Sequence, residues 1–202
     1  MSAPTPKQIV DFLRALGALK DLPRVGWPLR GVRNAESVAD HSYRVAVLAM
    51  VLADWIADNG TPLDAEKTMR MALLHDIAEA KTGDIPKPVS IRFPQGFKAK
   101  IEAEAAAALL SPMGALGGRY RELLDEYEQG GTLESAVVHA ADKLETLLQA
   151  YEYEASGSRR LEDFWTNARE LNDLNDLPAA QKLFEELVRR LEQLRSGTYE
   201  NE

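Results

Sequence analysis

The chain has 202 residues, 45% hydrophobic and 28% charged, which is ordinary for a soluble globular protein and enough for one domain over residues 1–202. A net charge of −8 excludes a nucleic-acid polymer as the main partner, since such binding leans on a broad basic surface, but not a small phosphorylated substrate. With no cysteine, no run as long as a membrane span and no signal-peptide core in MSAPTPKQIV, thiolate metal sites and a membrane partner are excluded and a cytoplasmic location is expected.

Helical periodicity runs through the chain and no stretch alternates as a strand would, so an all-α, single-domain bundle is expected. A first helix is predicted over 5–19, with Ile9, Phe12, Leu13 and Leu16 on one face. The segment KDLPRVGWPLRGVRNAE then breaks helicity at Pro23, Gly26, Pro28 and Gly31. It reads as an ordered loop, because Trp27, Leu29 and Val32 need somewhere to pack. Ser37 and Asp40 form a capping box ahead of a helix that reaches about Asp58. The next helix is predicted from about Asp64 to Ala80, closed by Gly83 and by Pro86 and Pro88 beyond. Further helices are expected over 97–110, 115–128, 132–155, 160–172 and 178–195, with a frayed tail from Ser196. The last two carry Leu161, Phe164, Trp165, Leu183, Phe184, Leu187 and Leu191, suited either to the core or to a dimer face.

Only three histidines occur, so each can be weighed. His41 heads a stripe of Val45, Leu48, Leu52 and Ile56 and therefore points inward. Alone, it would read as a core histidine satisfied by a carbonyl. His75 continues the apolar face of Met71, Leu74 and Ala78, and Asp76 is turned about 100° from it, at the edge of the buried face. Two inward histidines on consecutive helices would be costly to bury without a shared partner. Asp142 flanks the apolar face of Val137, Ala141, Leu144, Leu148 and Tyr151, either as a boundary carboxylate or as a ligand aimed into a cleft. His139, roughly 60° around that helix from Asp142, reads as structural or peripheral.

The order His, His-Asp, Asp on three helices resembles the HD-domain metal-dependent phosphohydrolases. The matching runs are GWPLRGVRNAESVADHSYRVAVLA, MALLHDIAEAKTGDIP, HAADKLETLLQAYEYE and RRLEDFW, covering about Pro23 to Trp165. In detail they are most similar to the branch of bacterial 5′-deoxynucleotidases and eukaryotic HD-domain-containing proteins of the second type. The resemblance implies a metal-site core over about 24–156 with C-terminal helices over about 160–195, and His41, His75, Asp76 and Asp142 as metal ligands. It also gives Glu79 and Asp84 catalytic roles and implies a homodimer. Bacterial members place an arginine directly before the tryptophan and use both on the nucleotide; here that position is Gly26, so transfer of that arginine's role does not follow.

Two imidazoles and two carboxylates suit Mn²⁺, Co²⁺ or Fe²⁺, with Ni²⁺, Mg²⁺ and Zn²⁺ as further candidates. A water on such a cation is acidified enough to attack phosphorus near neutral pH. Glu79 lies one helical turn from His75 and is expected to orient or deprotonate that water, while Asp84 is expected to serve as general acid or base. Arg24, Arg30, Arg33 and Lys81 are the candidate cations for a substrate phosphate, and Trp27 is a candidate for the sugar or base. The expected activity is removal of the 5′-phosphate from deoxynucleoside monophosphates. Hydrolysis of nucleoside triphosphates or another small phosphate ester, or a non-catalytic metal-binding module, are the alternatives.

Overall fold

The computed structural model describes residues 2–168 and 178–198. Helix α1, Pro6–Leu16, starts where Thr5 caps the Gln8 N–H and Gln8 reaches back to the Thr5 N–H at 2.7 Å. A short 3₁₀ turn, Gly17–Lys20, replaces the last residues of the predicted first helix. In the loop that follows, Trp27 and Val32 are buried as expected, whereas Leu29 is exposed. Helix α2, Val38–Asp58, begins on the predicted capping box, with Ser37 N–H donating to Asp40 Oδ2 at 2.9 Å.

The predicted helix from Asp64 to Ala80 is not continuous. Helix α3, Ala65–Leu74, stops at His75; residues 75–78 form tight turns, and α4, Glu79–Thr82, resumes before Gly83 turns the chain at φ 73. Through the break, Ile77 N–H donates to Leu74, Glu79 N–H to Asp76 and Ala80 N–H to Ile77, the three-residue spacing of a 3₁₀ helix. A four-residue helix that the sequence did not suggest, α5 (Lys87–Ser90), follows Pro86.

Helix α6, Phe97–Leu110, has the predicted bounds, and α7 runs Gly114–Gln129. Their corner is so tight that a Cβ on Gly117 would lie 2.0 Å from the Leu110 carbonyl oxygen, so only glycine fits. Helix α8, Leu133–Ala155, starts on a third capping box, at Thr132 and Ser135, after those of α1 and α2. Helices α9, Glu162–Ala168, and α10, Pro178–Ser196, close the bundle; residues 169–172 of the predicted 160–172 helix lie outside the described residues.

The main core lies between α2, α3 and α8, where Val45, Ala49, Met71, Ala72, Val137 and Ala141 are wholly buried. Deleting a side chain such as Met71 from a site like this costs on the order of 2–5 kcal/mol. Phe184 of α10 joins that core, and Leu161 and Trp165 join Trp27 and Leu147 in a second one beneath the loop. The apolar residues of the late helices thus serve the core. Among the described residues no helix is long and apolar enough to cross a membrane.

Candidate metal centre and cleft

Three elements bring the predicted ligands together: the first turn of α2 carries His41, the break after α3 carries His75 and Asp76, and the middle of α8 carries Asp142. The two imidazole rings are 5.5 Å apart between centroids. Asp142 Oδ1 stands 3.1 Å from His41 Nε2, and Asp76 Oδ2 stands 3.2 Å from His75 Nε2 and 3.8 Å from His41 Nε2. One ligand atom each from His41, His75 and Asp142 lies within 4.8 Å of the others.

The outer nitrogens of both rings are already committed. His41 Nδ1–H donates to Glu145 Oε2 at 2.5 Å, and His75 Nδ1–H donates to the Ala72 carbonyl at 2.7 Å. Each ring, when neutral, therefore presents its Nε2 lone pair inward, and both Nε2 atoms are buried with no hydrogen-bond partner. Lone pairs of imidazole and carboxylate facing each other at about 3 Å repel unless a proton or a cation lies between them. Burial, then the Arg24 charge, opposes a proton on His41, yet the Asp142 and Glu145 carboxylates beside it push its pKa up to about 9 in the metal-free chain. Burial would raise Asp142 and Asp76, but contact with His41 and His75 respectively, and then Arg24, holds both carboxyls well below the usual range. That field suits a dication, which would displace the proton from His41. The His41, His75 and Asp142 atoms lie together, Asp76 Oδ2 stands 3.8 and 3.2 Å from the two Nε2 atoms, and two imidazoles with two ionised carboxylates fit such an ion.

Glu145 is the residue of this centre that sequence reasoning missed. It is wholly buried, and Arg44 grips it at 2.8 Å while also binding Glu152 at 2.9 Å. A carboxylate on the outer nitrogen of a ligating histidine fixes its tautomer and orientation. The signal was present: an acid three residues after Asp142, among the inward leucines 144 and 147, is on the same side of the helix. Glu36 is a related case. Its Oε1 accepts from Trp27 Nε1 at 2.9 Å, and burial, then the nearby Glu145 charge, raise its pKa to about 7.

The centre forms one wall of a cleft of about 1220 Å³. Arg24 lies at its floor, with one guanidinium nitrogen 3.4 Å from Asp76 Oδ2 and another 3.2 Å from Thr146 Oγ1. Glu79 and Asp84 both line it. Glu79 is buried with Oε2 unpartnered, and burial, then the Asp76 and Asp84 charges, push its pKa up to about 9. Asp84 Oδ2 accepts the Val25 N–H at 2.5 Å, tying the segment after α4 to the loop that carries Arg24 and Trp27. Opposite, α6 contributes Lys98, which pairs with Glu102 at 3.3 Å; nothing in the sequence placed that lysine at the site.

The remaining candidates divide. Trp27 and Arg30 line the cleft, Trp27 as a buried residue stacked on Phe164 at 4.3 Å, and Arg30 bound to Asp163 and to the Gly26 carbonyl. Arg33 is exposed beside a different, shallower cavity, and Lys81 is exposed and off the cleft wall. His139 stacks on Tyr127 at 4.2 Å and donates from Nε2 to the Tyr127 carbonyl at 3.1 Å, a structural tie at the cleft edge.

The family model for the HD domain matches residues 16–182. The chain is 38% identical to the human protein named 5′-deoxynucleotidase HDDC2 over 161 residues, covering 79% of this chain and 76% of that protein. It is 33% identical to Schizosaccharomyces pombe 5′-deoxynucleotidase hdd1 over 171 residues, covering 81% and 82%. Among solved structures, a conserved hypothetical protein from Pyrococcus furiosus superposes with a TM-score of 0.78 at 38% identity, over 89% of this chain and 99% of that one.

Proposed function

The chain belongs to the HD domain family, and from that premise we propose that it is a metal-dependent phosphohydrolase that removes the 5′-phosphate of deoxynucleoside monophosphates. The observation that carries this reading is the pair of buried, unpartnered Nε2 atoms of His41 and His75 facing Asp76 and Asp142 at the end of a cleft. These four residues would hold the cation, for which the mixed nitrogen and oxygen set favours Mn²⁺, Co²⁺ or Fe²⁺. Bound there, it supplies an acidified water and positive charge for a phosphate oxygen.

The chain's own residues do the rest. Glu145 and the Ala72 carbonyl keep each imidazole in its ligating tautomer. Arg24, fixed between Asp76, Asp142 and Thr146, offers a guanidinium to the phosphate beside the ligands. Glu79, a buried carboxyl whose pKa burial and Asp76 raise in the metal-free chain, would be ionised by the positive charge of a bound dication and so serve as the proton acceptor for the attacking water. Asp84 holds Val25, and with it the Arg24–Trp27 loop; its other oxygen would relay to the leaving sugar oxygen the proton that Glu79 takes from the water. Trp27, wedged against Phe164 and bonded to Glu36, forms the wall for the nucleoside.

The test is phosphate release from a panel of deoxy and ribo 5′-monophosphates. Chelator-stripped protein would be assayed with Mn²⁺, Co²⁺, Mg²⁺ or Zn²⁺ restored, beside Asp76→Ala. Metal-dependent release from deoxynucleotides, lost in the variant, is expected; silence on every monophosphate in protein that binds metal rejects the reading.

We infer in addition that two copies pair through the outer face of α2, where Tyr43, Val47, Met50, Val51 and Trp55 are exposed at helical spacing. Light scattering that reports a monomer at micromolar concentration would reject the pairing.

A further inference from the structure

On the far side of Arg30 from the cleft, the loop 30–34 and the turn between α8 and α9 border a second, shallower cavity of about 530 Å³. Arg30, Arg33, Arg159 and Arg160 line it, with Asn34 and Ser158 as neutral donors, and no carboxylate belongs to its lining. In a chain of net charge −8 this is a local inversion of sign.

The nearby acids are committed elsewhere. Asp163 binds Arg30, Glu152 binds Arg44, and Glu154 and Glu162 bind Arg195. Arg30 is a wall rather than a free ligand, since Asp163 and the Gly26 carbonyl hold its guanidinium. Arg33, Arg159 and Arg160 are exposed and, among the described residues, form no ion pair or side-chain hydrogen bond. Three cations left close together repel one another, and an anion between them relieves that repulsion. Arg160 also stands at φ 71, a left-handed conformation in which a non-glycine residue costs roughly 1 kcal/mol or more. A cationic side chain is carried there although glycine would be free of that strain.

We propose that this cavity binds a phosphate chain, of the kind carried by nucleoside di- and triphosphates or by inorganic polyphosphate. Guanidinium groups pair with phosphate oxygens through two parallel N–H bonds, and three of them match the charge of two or three linked phosphates. The volume lies within the ordinary range of small-ligand sites. With no carboxylate in the lining to hold a cation, the ligand is bound and not hydrolysed. Arg33, a candidate for the substrate phosphate on sequence grounds, belongs to this second site.

Calorimetric titration of tripolyphosphate, ATP and dATP into the full chain, in chelator and 150 mM salt, tests this independently of any hydrolysis. The paired variant Arg159→Ala with Arg160→Gly is compared with the natural sequence; glycine suits φ 71, so the variant keeps its turn. One phosphate chain bound per protein, weakened about tenfold or more in the variant with monophosphate hydrolysis unchanged, is the expected result. Nucleotides binding more tightly than tripolyphosphate would assign the site to nucleotides, and equal binding to the phosphate chain alone; both support it. Undiminished binding in the variant would put the anion in the cleft beside Arg24 and Lys98 and overturn the assignment, as would no binding by the natural sequence.

Discussion

Replacing Glu79 by glutamine should stabilise the chelated protein while abolishing its turnover. Burial, with Asp76 and Asp84 nearby, lifts this carboxyl from an ordinary value of 4.5 to about 9. At pH 7.5 it is then protonated in the fold and ionised in the unfolded chain, so unfolding is favoured by release of the proton. Each pH unit above the unfolded value is worth about 1.4 kcal/mol, which puts the upper bound near 4 kcal/mol. Part of that is shared with the acids around it, so about 2 kcal/mol is the working figure. For a chain of this size it corresponds to a rise in Tm of roughly 4–8 °C. The sign fixes the pH dependence. A raised carboxyl costs nothing below its unfolded pKa, and its cost grows as pH rises towards the folded value. The advantage of the glutamine variant should therefore be near zero at pH 4.5 and increase through pH 8. Thermal melts in chelator across that range measure it, and phosphate release with metal restored measures the loss of the proposed proton acceptor. A variant no more stable than the natural sequence at pH 8, or equally favoured at pH 5 and pH 8, would refute the reasoning.

Glu145→Ala should weaken metal binding about 10- to 100-fold by freeing the His41 ring and leaving Arg44 without its buried partner, with Glu145→Gln intermediate. Mn²⁺ titration calorimetry reads this directly, and unchanged affinity would make Glu145 purely structural. Gly117→Ala should lower Tm, because its Cβ would meet the Leu110 carbonyl at 2.0 Å; overpacking of this kind costs about 1–3 kcal/mol, or roughly 2–12 °C.

What the sequence makes legible is what local chemistry decides. The start of α2 at Ser37 and the bounds of α6 follow from a capping box and from helix formers between breakers, whatever surrounds them. His41, His75, Asp76 and Asp142 can be singled out because polar groups on apolar faces need a partner. Glu145 hides because a buried acid looks the same in sequence as a boundary acid until Arg44, on another helix, is known to face it. Lys98 and α5 hide for a similar reason, since only the packing of α6 across the cleft gives them meaning.

The break after α3 is the most instructive difference. In an unbroken α-helix the Ala72 carbonyl would accept the Asp76 N–H, and Glu79 would sit one turn beyond His75. Here the His75 ring takes that carbonyl, and the turns that follow advance three residues at a time. Side chains three apart eclipse in such a turn, so Glu79 comes to lie over Asp76 rather than over His75. The histidine's own hydrogen bond therefore does two things. It fixes the tautomer that a cation would need, and it helps end the helix where the next acid comes into line with the Asp76 carboxylate. That placement agrees with the causes of the raised Glu79 pKa, first burial and then the Asp76 charge. Periodicity alone could place the His-Asp pair on the edge of a helix, but not foresee that the pair would stop it.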